Sequence, residues 1–123
     1  MEIKSVIFCE NDENCSQKVF EEVCKNCGMK TDEKMMDMLN GISAGFGIKG
    51  ICSALVGGLC ALGFVYSEEE MKTIRLMLFC DFNRRFSNLN CGLVETEDDC
   101  TDVMDFVQKW SEEKIKEKNN AMS

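Results

Sequence analysis

The sequence predicts an all-α fold, a compact bundle of about five helices around one central, buried, apolar helix. The stretch between Lys49 and Glu68 carries no charge, and a helix that is apolar all round is buried. On either side, apolar residues recur three and four positions apart, as along one face of a helix. There is no proline to break these helices. The length fits a single domain, residues 1–123, with a short helix assigned to residues 3–9.

Two amphipathic helices are predicted before the central one. Asn14 is a good N-cap for a helix from Cys15 to about Cys27, and Gly28 supplies the left-handed residue that ends many helices. Thr31 is expected to cap the second helix, which has one apolar stripe. The stripe comprises Met35, Met38, Leu39, Ile42 and Phe46.

The central helix is predicted over Gly50–Tyr66. Its internal glycines each cost about 1 kcal/mol of helix propensity relative to alanine, which indicates a packing or functional reason for them. Ser67 and Glu70 form a capping box that opens a long, amphipathic fourth helix. The last helix begins near Asp98, and its charged end, residues 111–123, is expected to fray.

Charge and composition exclude several classes of function. The formal net charge of −8 opposes binding to nucleic acid or to an anionic membrane. The uncharged stretch approaches the roughly 18 residues of a membrane span, but glycines and serines dilute it, so no membrane partner is expected. The absence of histidine removes histidine general bases and histidine ligands to a metal or haem.

The nine cysteines are the strongest chemical signal. An odd count without a secretory signal indicates reduced thiols, so we expect a cytoplasmic protein rather than a disulfide framework. Cys24 and Cys27 have the spacing of a thioredoxin-like pair, but they fall in the last turn of a predicted helix, where the dipole disfavours a thiolate. We interpret this pair as structural. Cys9, Cys60 and Cys80 are expected to pack as small apolar groups.

Four other cysteines are the candidate redox thiols, cofactor ligands and metal ligands: Cys15, Cys52, Cys91 and Cys100. Cys15, Cys52 and Cys100 are predicted at the amino termini of helices, where the dipole stabilises an anion by about 0.3–1 kcal/mol. Cys91 lies in a predicted turn before Gly92, where backbone N–H groups are available to a sulfur. Thiolates are therefore favoured at these positions.

The same four residues and their neighbours resemble a known family. The matching strings are Asn14-Cys15-Ser16-Gln17, Cys52-Ser53-Ala54-Leu55-Val56-Gly57, Asn90-Cys91 and finally Cys100. They are similar to the redox-active protein family named for its pattern Cys, Gly-Cys-Ala-x-x-Gly, Cys, Cys. The resemblance covers about Ile3 to Trp110. Ile51 and Ser53 flank Cys52 where the pattern has glycine before its cysteine and alanine after it.

The resemblance implies a small, all-helical, redox-active protein of anaerobic bacteria and archaea. A similar module occurs in the split-Soret cytochromes, which carry an iron–sulfur centre beside haems. No haem is implied for this chain, because it has no Cys-x-x-Cys-His sequence.

Three hypotheses of function follow. In the first, Cys15, Cys52, Cys91 and Cys100 bind an iron–sulfur cluster for electron transfer, with zinc as the less favoured metal. The second is a metal-free thiol–disulfide protein with one low-pKa cysteine and a resolving partner. The third is a helical interaction module whose cysteines are buried and inert. The first two require the sulfurs to meet at one pocket. They imply a redox protein as partner, and they leave open whether the protein is an enzyme or a homodimer.

Overall fold

The structure, a computed structural model, describes residues 14–42, 50–90, 94 and 100–122. Within these residues the chain forms five α-helices and no strand, which confirms the all-α prediction. The helices are α1 (Cys15–Asn26), α2 (Glu33–Asp37), α3 (Ser53–Leu62), α4 (Glu68–Phe86) and α5 (Thr101–Met122). The helix predicted for residues 3–9 lies outside the described residues.

Helices α1 and α3 run side by side in the same direction. Ser16, in the first turn of α1, lies against Gly57 of α3. Further along both segments, the rings of Phe20 and Phe64 are tilted against each other with centroids 5.7 Å apart. Because both contacts advance along the two chains together, the amino termini of α1 and α3 lie at the same end of the bundle.

Helix α5 runs in that direction too. Gly58 of α3 faces Val107 in the second turn of α5. Beyond the end of α3, the hydroxyl of Tyr66 donates a hydrogen bond of 2.6 Å to the carbonyl oxygen of Lys114. The amino termini of α1, α3 and α5 are therefore together at one end.

Helix α4 packs antiparallel to α5. The ammonium of Lys118 lies 2.8 Å from a carboxylate oxygen of Glu70, in the first turn of α4. At the other end of α4, the rings of Phe86 and Phe106 meet edge to face at 5.5 Å. The carboxyl end of α4 therefore reaches the end of the bundle where α1, α3 and α5 begin.

The predicted central helix is buried, but it is shorter than expected. It covers Ser53–Leu62 rather than Gly50–Tyr66, because the chain turns at Gly63. Side chains of α1, α4 and α5 pack against its buried side chains to form the core. Those with no solvent exposure include Val23, Ala54, Leu55, Leu62, Leu78, Phe82, Phe86, Val103 and Val107. None of the described helices has both the length and the apolar character that crossing a membrane requires.

The second helix differs most from its prediction. Its N-cap is Asp32, whose side chain accepts a hydrogen bond of 2.9 Å from the N–H of Met35, and not Thr31. The helix ends after five residues, so the described part of the predicted stripe is broken; Phe46, its last residue, lies outside the described residues. Met38 is 79% exposed, whereas Leu39 is buried.

The expected frayed tail, residues 111–123, is instead helical through Met122. Ile115 has no exposed surface, because it continues the buried stripe of α5 by one turn beyond Ser111. Lys114 and Lys118 place their ammonium groups over the rings of Trp110 and Tyr66, 5.5 and 5.4 Å from the centroids. The charged residues of this segment cover the core with the apolar parts of their side chains, so a charged sequence here forms an ordered helix.

Candidate functional site

Cys15 is the first residue of α1. Asn14 precedes it as N-cap, and its side-chain oxygen accepts a hydrogen bond of 3.3 Å from the N–H of Gln17. The amide of Asn14 donates to the carbonyl oxygen of Leu39 at 2.8 Å, which ties the start of α1 to the segment after α2. Cys15 is half-buried at this fixed helix start.

Cys52 occupies the N-cap position of α3 and is only 5% exposed. Its backbone N–H donates a hydrogen bond of 2.7 Å to the carbonyl oxygen of Leu89. Its neighbour Ile51 forms an isolated antiparallel bridge with Asn90. The chain that leads out of α4 is thus held beside Cys52. The next residue after Asn90 is Cys91, which lies outside the described residues.

Cys100 immediately precedes α5, and its carbonyl oxygen accepts a hydrogen bond of 2.9 Å from the N–H of Met104. Its φ of 69° is in the left-handed region, which is unfavourable for a residue with a Cβ. Such backbone conformations are held in place by surrounding structure and cluster at functional sites. Nothing in the sequence around Cys100 signals this conformation.

The three described candidate cysteines therefore lie at the same end of the bundle, each at the start of a different helix. This arrangement follows from the common direction of α1, α3 and α5. Helix amino termini stabilise anions through their dipoles and their unpaired N–H groups. The end of the bundle is thus suited to thiolates.

Gly57 allows α1 to lie close to α3 at this end. A Cβ at position 57 would come within 2.3 Å of the carbonyl oxygen of Ser16, the residue after Cys15. Only glycine fits there without moving the backbone of α1. The spacing Cys52-x-x-x-x-Gly57 thus has a steric reason. The sequence alone indicated that the glycines of this helix have a packing or functional role, but not which one.

Among residues 14–42, 50–90, 94 and 100–122, no three cysteine, aspartate or glutamate side chains are grouped so that they could hold a metal ion. Cys15, Cys52 and Cys100 share an end of the bundle without forming such a group on their own. The fourth candidate ligand, Cys91, is outside these residues, so the predicted meeting of all four sulfurs stays a prediction.

Cys24 and Cys27 lie at the opposite end of α1. Cys24 is buried, and this burial, with a smaller effect of Cys27, raises its pKa from 9.0 to about 11. Burial also raises the pKa of Cys27, and the carboxylate of Glu112 adds to this shift. Both groups favour the protonated thiol, which supports their interpretation as structural residues.

The prediction that Cys60 and Cys80 are packed inside is wrong, because both are exposed. Cys60 lies on the side of α3 that no described helix covers, and Cys80 lies on the outer face of α4. Cys9, the third of that group, is outside the described residues.

Comparison with known proteins gives one family assignment. Residues 13–120 match the family model described as Putative redox-active protein (C_GCAxxG_C_C). The match includes Cys15, Cys52, Cys91 and Cys100, and it spans nearly the whole bundle. No curated protein and no solved structure matches the chain.

Proposed function

The chain belongs to the C_GCAxxG_C_C family of redox-active proteins, and we propose that it transfers electrons through an iron–sulfur cluster held by four thiolates. The ligands are Cys15, Cys52, Cys91 and Cys100. One observation carries the proposal: three parallel helices begin at the same end of the bundle, each at one of these cysteines. The pairing of Ile51 with Asn90 holds Asn90, the residue before Cys91 in the sequence, beside the start of α3.

The protein surroundings suit an anionic, sulfur-rich group. Thiolates are the ligands that iron–sulfur clusters require, and a bound cluster supplies one-electron chemistry. Helix amino termini stabilise the negative charge of the thiolates. Cys52 is buried, whereas Cys15 and Cys100 are half-exposed. Cys52 thus shields its side of the site from water, and the two half-exposed residues lie near the surface that a redox partner would contact.

Zinc in the same four-thiolate site is the less favoured metal. A single zinc ion binds all its sulfurs at about 2.3 Å, which requires the four ligands to converge on one point. A cluster of four irons is held by four cysteine thiolates, which suits cysteines on separate helix ends.

A second candidate is a metal-free thiol–disulfide protein using the same cysteines. It requires only two of the sulfurs to meet, and three of the four cysteines lie at one end of the bundle. Two thiols of the site would form one disulfide, and their two electrons and two protons would pass to a disulfide of a partner protein, whose S–S bond breaks to give two thiols.

Purification without oxygen tests both candidates. Iron, acid-labile sulfide and the visible spectrum are measured for the wild-type protein, Cys52→Ser and the control Cys60→Ser. Cys60 is exposed and about 12 Å along α3 from Cys52. We expect iron and sulfide in the wild type and in Cys60→Ser, and their loss in Cys52→Ser.

The alternatives give distinct results. Protein without iron whose thiols form a disulfide only when Cys52 is present supports the thiol–disulfide candidate. Protein with neither iron nor a reversible disulfide overturns both. Cluster loss in Cys60→Ser but not in Cys52→Ser shows that the wrong cysteines have been chosen.

A further inference from the structure

Helix α4 has an apolar stripe on the side that faces away from the core. Leu78 and Phe82 fill the core side and have no exposed surface. On the outer side, Leu76 is 61% exposed and Met77 is 41% exposed. The outer side of a surface helix is normally polar. We call the exposed residues Thr73, Leu76, Met77 and Cys80 the outer stripe.

Charged residues are arranged symmetrically around the outer stripe. Glu69 lies one turn before Thr73, and Arg84 lies one turn after Cys80. Their side chains are 83% and 79% exposed. The midpoint between Leu76 and Met77 is also the midpoint between Thr73 and Cys80, and between Glu69 and Arg84. If a second copy of this face is turned end for end, apolar residues therefore meet apolar residues, and Glu69 meets Arg84.

We propose that the outer stripe binds the outer stripe of a second copy of this chain, with the two α4 helices antiparallel. The two-fold axis passes between Leu76 and Met77, so each Leu76 contacts Met77 of the second copy. Thr73 then faces Cys80 of the second copy. Such a two-fold contact uses the same surface on both chains and closes without further growth.

The charges favour a second copy in the antiparallel orientation. About the proposed axis, Glu69 faces Arg84 of the second copy. A parallel pairing would instead place Glu69 against Glu69 and Arg84 against Arg84. Residues 69–84 carry three acidic and three basic side chains, whereas the whole chain has a net charge of −8. The stripe is thus a surface on which two acidic proteins meet without net repulsion at the contact.

The small size of the contact indicates a weak dimer. Helix α4 has 19 residues, which is about 28 Å of helix. One helix pair buries less than the roughly 800 Å² per partner of a standard interface. We therefore expect a dimer that dissociates on dilution, rather than an obligate one.

Formation of a disulfide between two copies of the chain tests both whether the outer stripes meet and whether they meet antiparallel. In Thr73→Cys, the new thiol faces the native Cys80 of the second copy. Within one chain these positions are seven residues, or about 10.5 Å, apart along the helix, beyond the roughly 4.4–6.8 Å between Cα atoms that a disulfide spans. The background carries Cys60→Ser to remove another exposed thiol.

Mild oxidation of Thr73→Cys is expected to give a covalent dimer on a denaturing gel. Thr73→Cys combined with Cys80→Ser should stay monomeric on that gel, and so should the background protein. Covalent dimers through Cys80 in the background protein would show a parallel or unrelated contact and overturn the proposal.

Analytical ultracentrifugation tests the unmodified surface. The wild type should dimerise with rising concentration, Leu76→Asp should sediment as a monomer, and the control Met38→Asp should behave as wild type, since Met38 is 79% exposed elsewhere. Glu69→Arg and Arg84→Glu should each weaken the dimer, and the two together should restore it. A wild type that is monomeric at roughly millimolar concentration, or a dimer that survives Leu76→Asp, overturns the proposal.

Discussion

Replacing Gly57 with alanine tests how the close approach of α1 to α3 builds the candidate site. The added Cβ would lie 2.3 Å from the carbonyl oxygen of Ser16 and 2.9 Å from its Cα and carbonyl carbon. These are backbone atoms, which cannot rotate away as a side chain can. The shortest of these separations must grow from 2.3 Å to at least 3.4 Å for ordinary contact, so the start of α1, with Cys15, must move.

Two opposing effects set the size of the change. Overpacking a close contact costs about 1–3 kcal/mol, and the upper half of that range applies where the neighbour is backbone. Alanine in place of glycine in a helix returns about 1 kcal/mol. The expected net loss of stability is about 1–2 kcal/mol, or about 4–8 °C in Tm for a chain of this size.

Thermal unfolding followed by circular dichroism measures this loss, and Gly63→Ala is the matched control. At Gly63 the added Cβ would lie 3.4 Å from the carbonyl oxygen of Leu59, with helical backbone angles, so Gly63→Ala should be about 0.4–1 kcal/mol more stable than the wild type. The rate at which Cys15 is alkylated, read by mass spectrometry, should change in Gly57→Ala alone. A Gly57→Ala protein as stable as Gly63→Ala, with unchanged Cys15 alkylation, would refute the steric argument.

Three further outcomes are expected. Because burial raises the pKa of Cys24 to about 11, iodoacetamide should modify Cys24 in the folded protein only as the pH approaches 11; fast modification at neutral pH would contradict this. The hydrogen bond from Lys118 is the largest of the effects that lower the pKa of Glu70 from 4.5 to about 2. The ionised carboxylate of Glu70 therefore stabilises the fold above pH 4.5, and this effect is lost as the pH falls towards 2. The Tm of Glu70→Gln should fall less than the Tm of the wild type over that pH range. Identical curves of Tm against pH for the two proteins would contradict this role of Glu70. Ser87 closes α4 with a φ of 68°, which glycine adopts more readily than serine. The free energy of unfolding of Ser87→Gly, measured with urea, should therefore be about 0.5–1 kcal/mol higher than that of the wild type. A lower value would show that the serine side chain matters more than its backbone.

Features that depend on a few neighbouring residues were predictable from the sequence. The capping box of Ser67 and Glu70 is present in both directions. Asn14 caps α1 as predicted, and Gly28 ends that helix region with a φ of 73°. Each of these depends on a side chain bonding within its own turn, or on glycine lacking a Cβ. Local chemistry decides them, and the sequence contains all of it.

Features that depend on which surface a helix meets were not predictable. Residues 111–122 look too charged to be ordered, yet Ile115 completes a buried stripe because Tyr66 and Glu70 lie alongside α5. Met38 has the spacing of a core residue, but its helix has already ended, and it is exposed. Burial at these positions is decided by neighbours distant in sequence.

The candidate site shows the same division within a single helix. Cys15 and Cys24 are both on α1, nine residues or about 13.5 Å apart along it. The polarity of the helix, which the sequence does reveal, separates a position that favours a thiolate from one that does not. Burial then raises the pKa of Cys24 further, and the glycine contact at Ser16 brings Cys15 to the end where α3 and α5 also begin. Helix polarity therefore separates cysteines at positions that favour a thiolate from those at positions that do not, and helix packing brings three of the former to one end of the bundle.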